Sequence, residues 1–170
     1  RQCDFILEEL ENMSQDLHPH ILKTLGLKNA IEQTITNALN SLNVKYHISI
    51  ENFPNFIEKE KQIVLYRVIQ ESLNNIIKHS QANEVNLVID TTKSSIRVKL
   101  FDNGIGFTTK DQKTSGLGLK NMEGRVSIFG GTFTINSQLN KGTCIFFTIP
   151  INIDKGNLTK EVKTNKIVSD

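Results

Sequence analysis

The chain has 170 residues, of which 38% are hydrophobic and 22% charged, with a formal net charge of +2. That length suffices for one well-packed domain with a short appended element. The charge balance leaves no electrostatic case for nucleic acid or a membrane surface as partner, and no apolar run approaches the roughly 20 residues needed to span a bilayer. Cys3 and Cys144 lie far apart and form no close-spaced metal or redox pattern, so they read as reduced thiols of a cytoplasmic protein. No signal peptide is visible. The chain starts with Arg-Gln rather than Met, in helical register, and so reads as a piece of a larger protein.

Residues 3–17 carry apolar side chains at Cys3, Ile6, Leu10, Met13 and Leu17. These three- and four-residue steps make a heptad seam, the mark of a helix that pairs with other helices. A plain surface helix packing on its own domain is the competing reading. Pro19 is expected to break or restart this helix and Gly26 to stop it. A second helix is predicted over 28–42, then an alternating strand at 46–50 (YHISI). The longest helical pattern runs from about Lys59 to His79, with Leu65, Ile69, Leu73, Ile76 and Ile77 on one side. Strand-like runs follow at 84–90 (EVNLVID) and 95–101 (SIRVKLF). A glycine-rich loop, a helix near 118–129, and strands at 131–136 and 142–150 complete the pattern. The last residues lack periodicity and read as a polar tail. Consecutive strands without intervening helices predict an α+β fold, a two-layer sandwich on a mixed, mostly antiparallel sheet.

On a helical wheel with Glu71 at zero, Asn75 falls about 40° away, His79 about 80°, and Lys78 about 20° to the other side. One helix face thus presents a carboxylate, an amide, a cation and an imidazole in a row. That set suits a magnesium-bound polyphosphate: Mg²⁺ takes hard oxygen ligands and keeps several waters, so one amide oxygen plus phosphate oxygens completes a shell. Lys78 would neutralise phosphate charge and Glu71 would orient a water or take a proton. The same residues also make an ordinary solvated helix face.

Downstream, FDNGIGF (101–107) ends a strand and GLGLKNM (116–122) opens a helix, with TTKDQKTSG between them. Asp-Asn-Gly between apolar runs resembles a hairpin turn, but no second strand follows directly. Glycines let a backbone approach a ligand, and a helix N-terminus offers free N–H groups to phosphate. Asp102, at the end of an apolar strand, is placed to accept a hydrogen bond from an exocyclic amine such as that of adenine. The spacing fits neither a dinucleotide-binding fingerprint nor a P-loop.

Taken in order, QESLNNIIKHSQA, DNGIGF, GLGLKNMEGRV and the Gly-Thr of 142–143 resemble the ATPase domain of sensor histidine kinases, within the Bergerat-fold superfamily of gyrase, Hsp90 and MutL. The resemblance covers about residues 20–150. QExxxNxxKHxxA and GLGLxxMxxR are similar to the subgroup of nitrate sensors and membrane-fluidity thermosensors. LHPHILKTLGL (17–27) resembles the segment there that joins dimerisation helices to the ATPase domain. The implied organisation is the end of a dimerisation helix and linker at 1–26, the ATPase domain at 27–151 and a tail at 152–170.

QESLNNIIKHSQA (70–82) resembles the family's N box, on the helix from Lys59, and the resemblance implies that Asn75 is the magnesium ligand and Glu71 the N-box acid and catalytic residue. Lys78 and His79 would touch phosphates or ribose. Asp102 would hold the adenine amine, with Gly104 and Gly106 shaping that wall. Gly116, Leu117, Gly118 and Leu119 would bring backbone N–H groups to the phosphates, and Thr143 would support the adenine site. The residues between Phe107 and Gly116 would form a short ATP lid. The implied cofactors are ATP and Mg²⁺. The implied partners are a second copy in the full-length kinase and a response-regulator receiver domain, with no nucleic acid, and a membrane only through segments upstream.

Autophosphorylation needs a histidine on a dimerisation helix, in this subgroup usually followed by an acidic residue. His79 sits in the N box, His47 in a strand, and His18 and His20 flank Pro19 without a following acid. None of the four is expected to be the phosphoacceptor, so the chain would begin downstream of it. Three alternatives on the same fold remain: an anti-sigma-type serine kinase, a nucleotide-sensing module without turnover, and a gyrase- or Hsp90-like clamp. The seam at 3–17 weighs against the first, the intact motifs against the second, and the short lid against the third.

Overall fold

A computed structural model describes residues 2–42, 44–54, 57–108 and 117–151, with backbone alone for 2–20. The side chains of the heptad seam, His18 and His20, together with Gly116, all of the expected lid but Thr108, and the tail from 152, lie outside the described set. The first element, α1 (Gln2–Asn40), is one long helix interrupted at Gly26, whose φ of 73° and ψ of 161° only glycine adopts readily. The break expected at Pro19 does not occur. Proline's fixed φ is itself helical, and in a helix this long it forfeits one hydrogen bond without ending the run. Asn29 spans the interruption, its Nδ2 donating to the Leu25 carbonyl at 3.0 Å. Beyond the kink, Leu27, Ala30, Ile31, Ile35 and Leu39 form a buried stripe on one face of the helix.

Strand β1 (Lys45–Glu51) is followed by α2 (Lys59–Asn75), β2 (Glu84–Thr91), β3 (Ser95–Asp102), α3 (Leu117–Ser127), β4 (Thr132–Gln138) and β5 (Gly142–Pro150). The sheet order is β1-β2-β3-β5-β4. Only β1 and β2 run parallel, because α2 crosses between them; the other neighbours are antiparallel. The fold is thus α+β, a helical layer on one face of a mixed sheet. Period-two alternation sets the burial: Val85, Leu87 and Ile89, then Ile96, Val98 and Leu100, then Ile145, Phe147 and Ile149 face the helices. The opposite face carries Arg97 and Lys99, and Arg97 pairs there with Asp90. Burying each such aliphatic chain stabilises the fold by about 1.5–3 kcal/mol relative to leaving it in water.

Helix α2 buries Leu65, Tyr66, Val68, Ile69, Ser72 and Leu73. The Tyr66 hydroxyl lies 2.8 Å from Thr34 Oγ1 on α1, joining two helices of the layer. The α-helical pattern expected to run to His79 changes at Ile76, where a π turn covers Ile76–Ser80. A π turn holds an extra residue per turn. It therefore rotates Ile77 out of the apolar side on which the α-period placed it: Ile77 is 39% exposed, whereas Ile76 is 7%. Ser80 closes the turn, its Oγ donating to the Ile76 carbonyl at 2.8 Å and accepting from the Ala82 amide at 3.0 Å. Gln81, at φ 53°, then redirects the chain into β2.

Candidate functional site

Pairing across the sheet aligns Tyr46, Val85, Asp102, Thr143 and Ser137 in one row, at which β3 ends. The two rows behind it are aliphatic or aromatic, so the helix-facing side turns polar at this edge. Asp102 is only 3% exposed. Its Oδ1 accepts the Gly104 amide at 2.9 Å, and the Thr143 backbone N–H donates to the same carboxylate. Burial pushes the Asp102 carboxyl above its ordinary range, outweighing those two donors. A carboxylate offers about four acceptor directions, so capacity remains for a donor that comes from outside the chain. On the opposite face of the sheet, partial burial of its own pushes the Cys144 thiol up, as expected of an unreactive structural cysteine.

The loop after Asp102 lies along two neighbours. The Ile105 amide donates to the Ser80 carbonyl at 2.7 Å, and the Ile105 carbonyl accepts from the Asn140 amide at 2.6 Å. A Cβ on Gly104 would collide with the Ser80 carbonyl. Gly106 takes a positive φ of 58° beside the Gln138 carbonyl. Phe107 is tied down by its amide, which donates to Ser137 Oγ at 2.9 Å, and Ser137 Oγ in turn lies 2.9 Å from Thr143 Oγ1. The loop therefore turns onto the N-box helix end and the β4–β5 connection rather than into a hairpin of its own.

Glu71 and Asn75 are half-buried near the end of α2, while Lys78 and His79 stand exposed on the π turn. The wheel angles drawn for the latter two do not apply beyond Ile76, where the period changes. Glu71 reaches α3: its Oε1 lies 2.5 Å from the point a Cβ on Gly118 would occupy, so only glycine leaves the carboxylate its room. Because α3 begins at Leu117, this carboxylate sits at the helix's positive end, a favourable place for an anion. Leu117 is 76% exposed, and Leu119 packs partly against the core. Ser72 and Met122 fix α3 against α2, with Ser72 Oγ 3.4 Å from the Met122 sulfur.

The structure thus joins Asp102 to Gly104 and Thr143, and Glu71 to Gly118. Three residues that hold this arrangement were missed in the sequence: Ser80, Ser137 and Asn103. Each acts through partners far along the chain, so no local pattern marks them. The nearest signal in the sequence is the Asn of Asp-Asn-Gly, whose local pattern is that of a turn.

Residues 60–153 match the family of histidine kinase-, DNA gyrase B-, and HSP90-like ATPases. The chain is 34% identical over 151 residues to the oxygen sensor histidine kinase NreB of Staphylococcus carnosus, a match covering 86% of this chain and 42% of that protein. It is 33% identical over 147 residues to the sensor histidine kinase MctS of Rhizobium johnstonii, covering 85% of this chain and 32% of that one. Among solved structures it superposes on the blue-light activated histidine kinase of Erythrobacter litoralis EL346 with a TM-score of 0.69. That match has 16% identity and covers 84% of this chain and 49% of the other, a likeness of fold. The chain belongs to this ATPase family. It spans less than half the length of either curated relative.

Proposed function

We propose that the chain is the ATP-binding catalytic domain of a two-component sensor histidine kinase. In this reading it positions Mg-ATP so that the γ-phosphoryl passes to a histidine on a dimerisation helix, for relay to a response regulator. The observation that carries the reading is the buried Asp102 carboxylate at the helix-facing end of β3, with two backbone donors and unused acceptor capacity. An exocyclic amine of adenine fills that capacity, and a buried acceptor of this kind rejects a base that presents a carbonyl oxygen there.

The triphosphate then extends from the adenine wall toward the start of α3, where Leu117, Gly118 and Leu119 lie in the first turn and free N–H groups favour anions. Lys78 and His79 are exposed on the π turn and reach phosphate or ribose from the opposite side. Among the described residues no group of three or more His, Cys, Asp or Glu forms a metal cage. That fits Mg²⁺, which is commonly held by one or two side chains together with phosphates and water. Asn75 supplies the amide oxygen, and the ion would neutralise phosphate charge when bound. Glu71, one turn before Asn75 and against Gly118, stands between the two regions, where it takes a proton or orients a water.

Phosphoryl transfer asks the protein mainly for alignment and charge neutralisation. The acceptor imidazole nitrogen bonds to the γ-phosphorus, the bond to the bridging oxygen breaks, and ADP leaves; the imidazole proton passes to a neighbouring acid on that helix. The acceptor comes from another segment or another chain. Calorimetric titration with ATP and with GTP, each with magnesium, tests the reading. Binding of ATP in clear preference to GTP supports it, and equal or absent binding of both contradicts it.

A further inference from the structure

The side chain of Asn103 is exposed, yet every polar atom on it is engaged, and always with the same two residues. Its Oδ1 accepts the Asn83 amide at 3.1 Å and the Glu84 amide at 3.0 Å. Its Nδ2 donates to Asn83 Oδ1 at 2.7 Å, and its backbone N–H donates to the Glu84 carbonyl at 3.2 Å. Residues 83 and 84 are themselves a junction. They follow the π turn and open β2, and the Asn83 carbonyl accepts the Lys45 amide at 2.9 Å, which anchors the start of β1.

The β2–β3 pairing ends at Val85 and Asp102. Beyond it no residue of β3 pairs with Glu84 or with Asn83 just before β2, and Asn103 satisfies the amides of both with one side-chain oxygen. Asp102 lies immediately before this brace and Gly104 immediately after it. Strand alternation sends the Asp102 side chain inward and the Asn103 side chain outward, so Asn103 touches the site only through the backbone.

We propose that Asn103 is a positioning residue: it pins the end of β3 to the β1–β2 junction and so sets the depth and direction of the Asp102 carboxylate. The inference rests on the reading that Asp102 holds the adenine amine. An oxygen acceptor at this reach is the essential part. Aspartate at 103 keeps it and loses only the donation to Asn83, whereas alanine leaves both amides without it.

The test measures ATP and GTP dissociation constants, each with magnesium, for the 170-residue chain and its N103A, N103D and D102N forms, alongside thermal unfolding. The preference for ATP over GTP is the deciding readout, because a brace that served stability alone would lower the melting temperature and leave base preference untouched. N103A is expected to lose about tenfold of the preference, the scale of one hydrogen bond to a charged group, and N103D to recover most of it. Should N103A not fold, N103S, whose hydroxyl is too short to reach both amides, carries the same comparison. Full preference retained in the alanine or serine form, with D102N losing it, overturns the positioning role and leaves the Asp102 reading in place. Full preference retained in D102N overturns both.

Discussion

The carbonyl oxygen of Ser80 accepts the amide hydrogen of Ile105 at 2.7 Å, so the end of the N-box helix and the glycine loop share a direct backbone bond. Gly104 is buried against the same carbonyl. Both partners are backbone and neither has a flexible end to move aside. Gly104→Ala is therefore expected to cost about 1–3 kcal/mol of stability through overpacking, and to weaken ATP binding by displacing Asp102. Thermal unfolding and a nucleotide titration on the same variant check both parts. An unchanged melting temperature would mean that the loop does not lie on Ser80.

Asp102 carries a pH dependence. Its carboxyl is raised by burial above the ordinary value of 3.8. A group raised on folding contributes stability that is complete below its unfolded value and is lost as pH rises through its folded one. The wild-type chain without nucleotide should therefore lose stability relative to D102N as pH rises from about 3.8 through the raised value. The quantity to follow is the difference in melting temperature between the two, D102N minus wild type, across that range. It should grow with pH and then level off, and a flat or falling difference would contradict the burial argument.

Glu71 and Gly118 test the link between α2 and α3. A methyl group at 118 meets the end of a flexible side chain, so Gly118→Ala should cost little in folding while it moves the carboxylate. Its effect on ATP affinity should shrink in a Glu71→Ala background, because the clash has then gone. A double-mutant cycle on ATP binding should give a coupling of at least about 0.5 kcal/mol, the range of residues in contact. Additive effects would separate the two residues.

Asn75→Ala should abolish the magnesium dependence of ATP binding and leave the metal-free affinity nearly unchanged, since the adenine wall is untouched. A surviving magnesium response places the metal's protein ligand elsewhere.

Tyr66→Phe removes the hydroxyl paired with Thr34 and lies away from the glycine loops. About 1 kcal/mol of stability should be lost, the usual net worth of a hydrogen bond, with ATP affinity unchanged. Thermal unfolding and the same titration decide this.

Much of the fold was legible because its sheet is buried on one face only. Alternation in 84–90 and 95–101 marks strands without ambiguity, and the helix stripe Leu65, Ile69, Leu73 carries the 3.6 period. Gly26 was read as a stop and is the non-helical residue. The π turn was not legible: an i to i+5 pattern leaves no mark in composition, so Ile77 was placed inside and lies outside. Pro19 misled for a different reason, since its cost is one hydrogen bond and packing elsewhere decides whether the helix continues. In the site, Asp102 and the glycines were visible because their chemistry is local. Asn103, Ser80 and Ser137 were not, because what they do depends on chain segments about 20 to 30 residues away.

The most direct test of the account is a calorimetric titration of ATP, with and without magnesium, into the wild-type chain and its Asp102→Asn variant. The account predicts at least tenfold weaker ATP binding in the variant, a charged-group hydrogen bond being worth about 1.5–3 kcal/mol, with the magnesium response retained. Equal ATP affinity in the two proteins would contradict it.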